Sequence, residues 1–437
     1  MSESSGISEP HAILDGLGRQ QATELVRGAT FVGTLLLAWV SLHPFPDLSD
    51  ALLADLTTGN ETLTYAAFGC LAGLATILLA RDNAPALRTL LSPGYVLFGG
   101  WILLSALLSL DPVSSMRRLV LTICVVAVAA LLMLLPKSAS QLIRWLSIAV
   151  LGLLAICYLG LLLAPHLAIH LATDAQEPAL AGDWRGSFGH KNVAAAVMAM
   201  LLFLGIYIAR SGAWISGALT IGLALLFLLH AGGKSSLGLC LAVLALTSLA
   251  AVVSSFWLRA VILLAPLALL LLLGVGTVMS DSLAGIAQML PLDSSFTGRT
   301  DIWTFATEAA RQRLLTGYGF EAFWGGSSVK GLPEGMEWAA TAANSHNGYL
   351  DTVLTMGLPG LALLIAVFVI GPLRDFHAAD RAGNGGPFGL ALLQVWLFGI
   401  YLSSLESFYF DRDDPIWFTF LLAVFGLHYL ARFRMRE

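Results

Sequence analysis

The sequence predicts an all-α integral membrane protein with about twelve transmembrane helices and one large polar loop. Of its 437 residues, 57% are hydrophobic and 12% are charged, whereas soluble domains carry about a quarter charged residues. Its mean hydropathy is +0.81. Twelve apolar runs also recur along the chain, and each approaches the roughly 20 residues that a membrane-spanning helix needs.

The runs divide the chain into five parts. A polar N-terminal tail (1–27) precedes nine runs (28–279), the large loop (280–348), three further runs (349–431) and a short C-terminal tail (432–437). The first tail is polar for too long to be a secretory signal peptide. The runs lie at about 28–44, 64–80, 94–110, 119–135, 145–163, 193–209, 212–230, 235–253, 260–279, 349–371, 388–404 and 415–431. Gly357-Leu358-Pro359-Gly360 predicts a break in the tenth run.

The distribution of basic residues predicts the orientation. With the N-terminus in the cytoplasm, the inner side holds 13 of the 23 lysines and arginines, and the outer side holds 10. Loop 45–63 contains no lysine or arginine. The opposite orientation would place this loop and the long polar loop 280–348 inside, which fits the positive-inside rule less well. Both termini are therefore predicted to be cytoplasmic, and the large loop is predicted to face the outer side.

Composition and spacing also argue against several classes of function. The net charge of −5 is small and dispersed, so no basic face for nucleic acid is predicted. The cysteines lie singly in apolar runs, and neither a metal-binding motif nor a dense aspartate cluster occurs, so no metal or other cofactor is predicted. Essentially no charged residue falls in the middle of a run, which disfavours an ion-coupled transporter.

Several cations lie where basic residues are usually avoided, in outer loops or at the outer ends of spans. Contact with lipid headgroups would explain any one of them. Together they predict a site for a strongly anionic ligand, such as a diphosphate at the bilayer surface. These cations are Arg117, Arg118, Lys191, Lys234, Arg299 and Arg412.

The large loop contains a predicted helix that Thr300 caps and whose apolar positions recur at helical spacing. Arg311 and Arg313 near its end complement the helix dipole. Arg299, beside its N-terminus, has no such structural explanation and lies where backbone N–H groups also attract anions. Alternatively, the helix lies on the membrane interface with Trp303 as an anchor.

The stretch NSHNGYLD, residues 344–351, places a histidine just before an apolar run. A histidine with a reference pKa of about 6.5 can accept a proton at neutral pH. The structural alternative is that His346 and Asn347 merely cap the helix that follows, because Asn is a favoured cap.

These residues also carry a resemblance to a known family. GRTDIW, GYGFEAFW and NSHNGYLDTVLTMGLPG closely resemble motifs of the O-antigen ligase and polysaccharide polymerase superfamily. SLDPVSSMRRL, AGGKSSLGL and SFGHKNVAAAVMA are similar to further motifs of that family. The resemblance covers roughly residues 60–425, and its wording is closer to the exopolysaccharide polymerase branch than to typical ligases.

The resemblance implies a GT-C-like, inverting and metal-independent glycosyltransferase without a cofactor, acting at the periplasmic face of the bacterial inner membrane in exopolysaccharide or lipopolysaccharide biosynthesis. The implied donor is an oligosaccharide on undecaprenyl diphosphate. The implied acceptor is a second lipid-linked repeat, for a polymerase, or lipid A-core, for an O-antigen ligase. Membrane lipid surrounds the protein, and no nucleic acid partner is expected.

The resemblance also implies residue roles. His346 is the catalytic base and Arg299 the second catalytic residue, while Lys234, Arg299, Arg117 and Arg118 bind the diphosphate. Lys234 stands where many members have arginine, so it offers a point charge without a bidentate fork. Roles in binding substrate or in orienting the site fall on His190, Lys191, Asn192, Trp303, Asn344, Asn347, Asp351 and Glu406.

Two alternative functions belong to other classes of protein. A transporter of lipid-linked glycans predicts a continuous polar path through the bilayer, which the charge-free spans do not offer. A non-catalytic assembly subunit predicts that loss of His346 is tolerated.

Overall fold

The computed structural model describes residues 9–40, 43–49, 61–79, 83–175, 177–289, 299–324, 342–412 and 414–434. Within them the fold is helical, and the β structure is limited to one isolated bridge between Ile169 and Trp184. The helices are α1 Glu9–Val40, α2 Glu61–Leu79, α3 Ala84–Thr89, α4 Pro93–Leu107, α5 Pro112–Leu132, α6 Ala139–Leu163, α7 Pro165–Ala168, α8 Lys191–Arg210, α9 Trp214–His230, α10 Lys234–Ala251, α11 Phe256–Leu273, α12 Gly276–Met279, α13 Asp281–Met289, α14 Arg299–Gln312, α15 Gly348–Leu364, α16 Gly371–Arg381, α17 Gly386–Leu402 and α18 Pro415–Leu430. A 3₁₀ turn spans Pro178–Leu180, and a π-helical segment, Ile365–Ile370, joins α15 to α16.

Apolar helices occupy every predicted run. Seven segments of the described chain are long and apolar enough to cross a membrane, and five shorter apolar helices of 10–17 residues accompany them. An integral membrane all-α protein is therefore supported, whereas the count of twelve spans stays a prediction. The seven segments are Gln21–Val40, Pro112–Leu132, Ala139–Leu163, Lys191–Arg210, Lys234–Ala251, Phe256–Leu273 and Gly348–Arg381.

The centre of the bundle is formed by α8, α17 and α18, which pack against one another. The most apolar window of α8 is 78% buried, whereas that of α11 is only 17% buried. All sixteen residues of α18 are buried. Because an exposed apolar surface on such a helix is covered by lipid, α11 belongs to the rim. The first residues of α8 and the loop between α17 and α18 therefore lie on the bundle axis.

The loops gather at two ends of the bundle. At one end, the N–H of Leu110 donates to Tyr318, and the N–H of Gly348 donates to Ser403, at 3.1 and 2.8 Å. We call this the site end. At the other end, the buried Arg27 side chain donates to the carbonyl of Leu135, at 3.0 Å, and Arg432 pairs with an aspartate of α16. Loops that follow one another along the sequence thus lie at opposite ends of the bundle.

Helix α15 breaks at Gly357, as the Gly-Leu-Pro-Gly sequence predicts. Gly357 has a φ of 68°, a left-handed conformation that favours glycine, and an added Cβ there would clash with the backbone carbonyl of Leu315. Two backbone hydrogen bonds, each of 2.7 Å, connect the helix to the preceding loop: Leu358 donates to Leu314, and Tyr318 donates to Leu354. The break therefore fixes the GYGFEAFW segment against α15.

Helix α14 differs from its prediction in two respects. It includes Arg299 and Thr300, so Thr300 lies inside the helix and is not its cap. Trp303 is fully buried, and its indole N–H donates to the carbonyl of Ser345, at 3.0 Å. The interpretation of Trp303 as an anchor in the membrane interface is therefore wrong, because its ring packs inside the protein beneath the loop that carries His346.

Candidate active site

Glu406 joins three residues that lie far apart in the sequence. Its Oε2 is 2.9 Å from Nδ1 of His346. Its Oε1 is 2.8 Å from Nη2 of Arg299 and accepts a second hydrogen bond, of 3.2 Å, from the side-chain amide of Asn192. The carboxylate therefore connects the polar loop before α15, the start of α14 and the start of α8.

The carboxylate of Glu406 also decides which ring nitrogen of His346 carries the proton. Burial alone would raise the pKa of Glu406, but the hydrogen bond from His346 and the charge of Arg299 outweigh it and lower that pKa below its usual value. Glu406 is thus ionised at neutral pH and can only accept, so Nδ1 of His346 is the donor. Nε2 then keeps its lone pair and is able to take a proton.

The loop presents His346 through its backbone. His346 has a φ of 51°, and its N–H donates to Oδ1 of Asn344, at 3.0 Å. Asp351 accepts hydrogen bonds from the backbone N–H of Ser345, from the indole of Trp324 and from the hydroxyl of Ser407. With Trp303 beneath it, the loop is held from several sides, while the ring of His346 remains 44% exposed.

Asn347 and His346 have different roles. Asn347 is the N-cap of α15: its Oδ1 accepts from the N–H of Leu350, at 3.0 Å, and its Nδ2 donates to the carbonyl of Ser404. The capping interpretation is therefore right for Asn347. It is wrong for His346, because the imidazole contacts Glu406 instead of the first turn of the helix. Asn347 is buried, and its side-chain amide holds the loop to α15 and to Ser404.

His190 and Lys191 support the start of α8. Nδ1 of His190 accepts from the N–H of Asn192, at 3.0 Å, and Nε2 lies 2.6 Å from Glu177, so both ring nitrogens are engaged. Lys191 pairs with Asp183. These contacts position Asn192 toward Glu406, and they leave His190 without a free nitrogen for proton transfer.

Lys234 begins α10 at the same end of the bundle. It is exposed, and its ammonium group makes no hydrogen bond or ion pair within the described part of the chain. The preceding Gly233 presses against Ala195, one helical turn after Asn192. The structure therefore places Lys234 beside the helix that contributes Asn192, and none of the described residues pairs with the ammonium group of Lys234.

Arg117 and Arg118 lie on α5. Arg117 is exposed at the site end. Arg118 donates to the backbone carbonyl of Glu321 and lines a cavity with several carboxylic acids. No contact described in the structure joins either arginine to the Glu406 group, so a diphosphate role for them stays a prediction.

One residue of this end was not predicted. Glu321 belongs to GYGFEAFW, one of the segments that carry the family resemblance. Burial, assisted by the charge of Asp411, raises the pKa of Glu321 to about 8. A lone glutamate inside an otherwise apolar motif was the available signal.

Comparison with known proteins adds two findings. Residues 195–365 match a family model described as O-antigen ligase. A stretch of 95 residues is 37% identical to the exopolysaccharide production protein ExoQ of Rhizobium meliloti (strain 1021). That similarity covers 20% of this chain and 22% of the relative, so the chain matches about a fifth of the relative's length.

The family match includes three of the residues singled out from the motifs, Lys234, Arg299 and His346, while Asn192 and Glu406 lie outside it. Two independent similarities thus agree with the motifs quoted above. These matches confirm the resemblance to the O-antigen ligase and polysaccharide polymerase superfamily, and the family model matches residues 195–365 of this chain.

Proposed function

We propose that the protein is an inverting, metal-independent glycosyltransferase of the bacterial inner membrane that polymerises an exopolysaccharide or O-antigen. Its donor is an oligosaccharide on undecaprenyl diphosphate, and its acceptor is a second lipid-linked repeat. The observation that carries the proposal is the contact of Glu406 with both His346 and Arg299. That contact puts a proton acceptor and a fixed cation on either side of one carboxylate.

The proposed reaction is a single displacement. A hydroxyl of the acceptor attacks the anomeric carbon of the donor and forms the new C–O bond, while the bond from that carbon to the diphosphate oxygen breaks. Nε2 of His346 takes the hydroxyl proton, and lipid diphosphate leaves with the bonding electron pair. Glu406 holds Nδ1–H and stabilises the imidazolium that forms. Base catalysis of this kind contributes about 10²–10⁴ in rate.

The cations act on the departing diphosphate. Negative charge grows on the leaving oxygen during the reaction, so a fixed cation stabilises the transition state more than the ground state. Arg299 uses Nη2 to contact Glu406, which leaves its other N–H groups for phosphate oxygens. Lys234 supplies a second charge from the start of α10, which packs against α8. Each charge-assisted hydrogen bond contributes about 1.5–3 kcal/mol.

The position of the group in the fold suits a lipid-borne donor. Asn192 and Asn347 lie at the N-termini of two apolar helices, and Glu406 lies between two others. The reacting groups therefore stand where polar loop and apolar helix meet. We assign the site end to the periplasmic face, with both termini in the cytoplasm, on the distribution of basic residues.

The ligase alternative uses the same chemistry with a different acceptor. The description of the matching family names a ligase, and the name of the relative from Rhizobium meliloti names exopolysaccharide production. We favour the polymerase because the motif sequences are closer to the exopolysaccharide polymerase branch and because that relative is named for exopolysaccharide production.

The test is turnover by the purified protein in lipid nanodiscs, given the lipid-diphosphate oligosaccharide in the presence of EDTA. We expect release of lipid diphosphate and longer glycans, and loss of both in Arg299→Ala. The matched control is Arg311→Ala, an exposed arginine on the same helix, which should retain turnover. Adding lipid A-core as acceptor separates ligase from polymerase. A wild-type protein that moves the intact donor across the bilayer without cleaving it, or an active Arg299→Ala, would contradict the proposal.

A further inference from the structure

The polar cavity that Arg118 lines lies beside the loop that carries His346. Its volume is about 220 Å³, and its lining includes Asn344 and Gly348, on either side of His346, and Ser407, next to Glu406. His346, Arg299 and Glu406 do not line it. The cavity follows α15 from Gly348 to Thr355, which is two helical turns. It therefore adjoins the reacting group without containing it.

The charges that line this cavity do not suit a diphosphate. Two arginines, Arg118 and Arg412, face three carboxylic acids, Glu321, Asp351 and Asp411. Because these acids offset the arginines, the cavity offers a polyanion little net positive charge, in contrast to the environment of Arg299 and Lys234. A neutral ligand that carries many hydroxyl groups suits this lining, because carboxylate and amide oxygens accept hydrogen bonds from hydroxyls, and arginine donates to them.

The lining also contains aromatic side chains and one carboxyl group that has no hydrogen-bond partner among the described residues. Trp324, Tyr409 and Phe410 contribute rings to it. The carboxyl group of Glu321 makes no hydrogen bond or ion pair with any residue that the structure describes, although Glu321 is only partly exposed. Small-ligand sites combine apolar walls with a few convergent polar groups in this way. Since typical drug-sized ligands need about 300–1,000 Å³, this cavity has room for roughly one sugar ring.

We infer that this cavity is the subsite for a sugar ring of the acceptor, with Glu321 and the side-chain amide of Asn344 as hydrogen-bonding groups and Trp324 as an apolar wall. The inference rests on the proposed function. It places acceptor and donor on opposite flanks of the His346 loop: the sugar in the cavity, and the lipid diphosphate at Arg299. A hydroxyl of the bound ring is then delivered to Nε2 of His346 from the cavity side.

The experiment measures binding of the released repeat oligosaccharide, which carries no diphosphate, to the purified full-length protein by calorimetry at pH 7. We expect the wild type to bind it and Glu321→Ala to bind it about tenfold more weakly, the loss expected for one hydrogen bond to a polar side chain. Glu321→Gln, which keeps the size and the donor of a protonated carboxyl group, should restore most of the affinity. Glu308→Ala, an exposed glutamate of α14, is the matched control and should bind as the wild type does.

Steady-state kinetics distinguish the outcomes. We expect Glu321→Ala to raise the KM for the acceptor about tenfold while the KM for the lipid-diphosphate donor changes less than twofold, and inorganic pyrophosphate should not displace the oligosaccharide. Equal changes in both KM values, displacement by pyrophosphate, or unchanged binding by Glu321→Ala would overturn the subsite. If the wild type binds the oligosaccharide but releases no lipid diphosphate, the proposed function fails and the cavity remains a sugar site.

Discussion

Glu406 binds His346 through one carboxylate oxygen and Arg299 through the other, at 2.9 and 2.8 Å. His346 and Arg299 lie 60 and 107 residues before Glu406 in the sequence. The same oxygen that accepts from Arg299 also accepts from Asn192. A single carboxylate therefore sets both the tautomer of the histidine and the position of the cation, which gives Glu406 a positioning role for both.

Replacing His346 by alanine tests the base. His346→Ala removes the acceptor of the hydroxyl proton but leaves Asn344 and Asn347 to hold the loop, so the protein should remain folded. We expect kcat to fall by about 10²–10⁴ with little change in the melting temperature. The matched control is His166→Ala, an exposed histidine at the same end of the bundle, which should retain full activity. Full activity of His346→Ala would show that His346 is not the base.

The lowered pKa of Glu406 predicts how stability responds to acid. Burial opposes this shift, and the contacts with His346 and Arg299 outweigh it. A carboxyl group whose pKa is lowered by folding contributes stability that is present above its unfolded pKa of about 4.5 and is lost as pH falls through the lower folded value. We expect Glu406→Gln to melt below the wild type at pH 7 and the difference to shrink toward pH 3, as measured by thermal unfolding in detergent. A constant difference would contradict this assignment.

The raised pKa of Glu321 predicts that stability depends on pH in the opposite direction. Burial is the main cause, Asp411 and Asp351 add to it, and Arg118 and Arg412 oppose it, leaving a pKa of about 8. The stability associated with this group is fully present below its unfolded pKa of about 4.5 and is lost as pH rises through about 8. Glu321→Gln stays neutral, so its melting temperature should rise relative to the wild type between pH 6 and pH 9. A difference that does not change with pH would show that Glu321 is ionised throughout.

The break at Gly357 holds the GYGFEAFW segment against α15. Its left-handed backbone and the carbonyl of Leu315 leave no room for a Cβ. Gly357→Ala should therefore lower the free energy of unfolding by more than about 1 kcal/mol and reduce turnover. Gly73→Ala is the control, because an added Cβ at that helical position meets no other atom within 4 Å. Similar stability of the two variants would show that the break in α15 is not required.

The local sequence predicted those parts of the site that depend on neighbouring residues. The cap at Asn347 follows from the preference of Asn for that position, and the break at Gly357 follows from its Gly-Leu-Pro-Gly context. His346 and Arg299 were found because their motifs resemble a family. Each of these features is determined by a few consecutive residues, so each can be predicted from a single sequence.

The remaining features arise from tertiary packing. Glu406 was expected to bind substrate or to orient the site, but nothing in its own segment shows that it reaches His346 across 60 residues. The burial of Trp303 depends on α14 folding beneath the loop, and an amphipathic pattern is equally typical of a helix on a membrane surface. The engagement of both nitrogens of His190 depends on Glu177, thirteen residues away across a loop.

A double-mutant cycle on His346 and Glu406 tests the central claim most directly. The measurement is kcat for release of lipid diphosphate by the wild type, His346→Ala, Glu406→Gln and the double variant, with folding of each checked by melting temperature. If Glu406 acts by holding the imidazole, the losses will not multiply, and the double variant will have a kcat close to that of His346→Ala alone. A double variant whose loss equals the product of the two single losses would show that the two side chains act independently and would contradict the account.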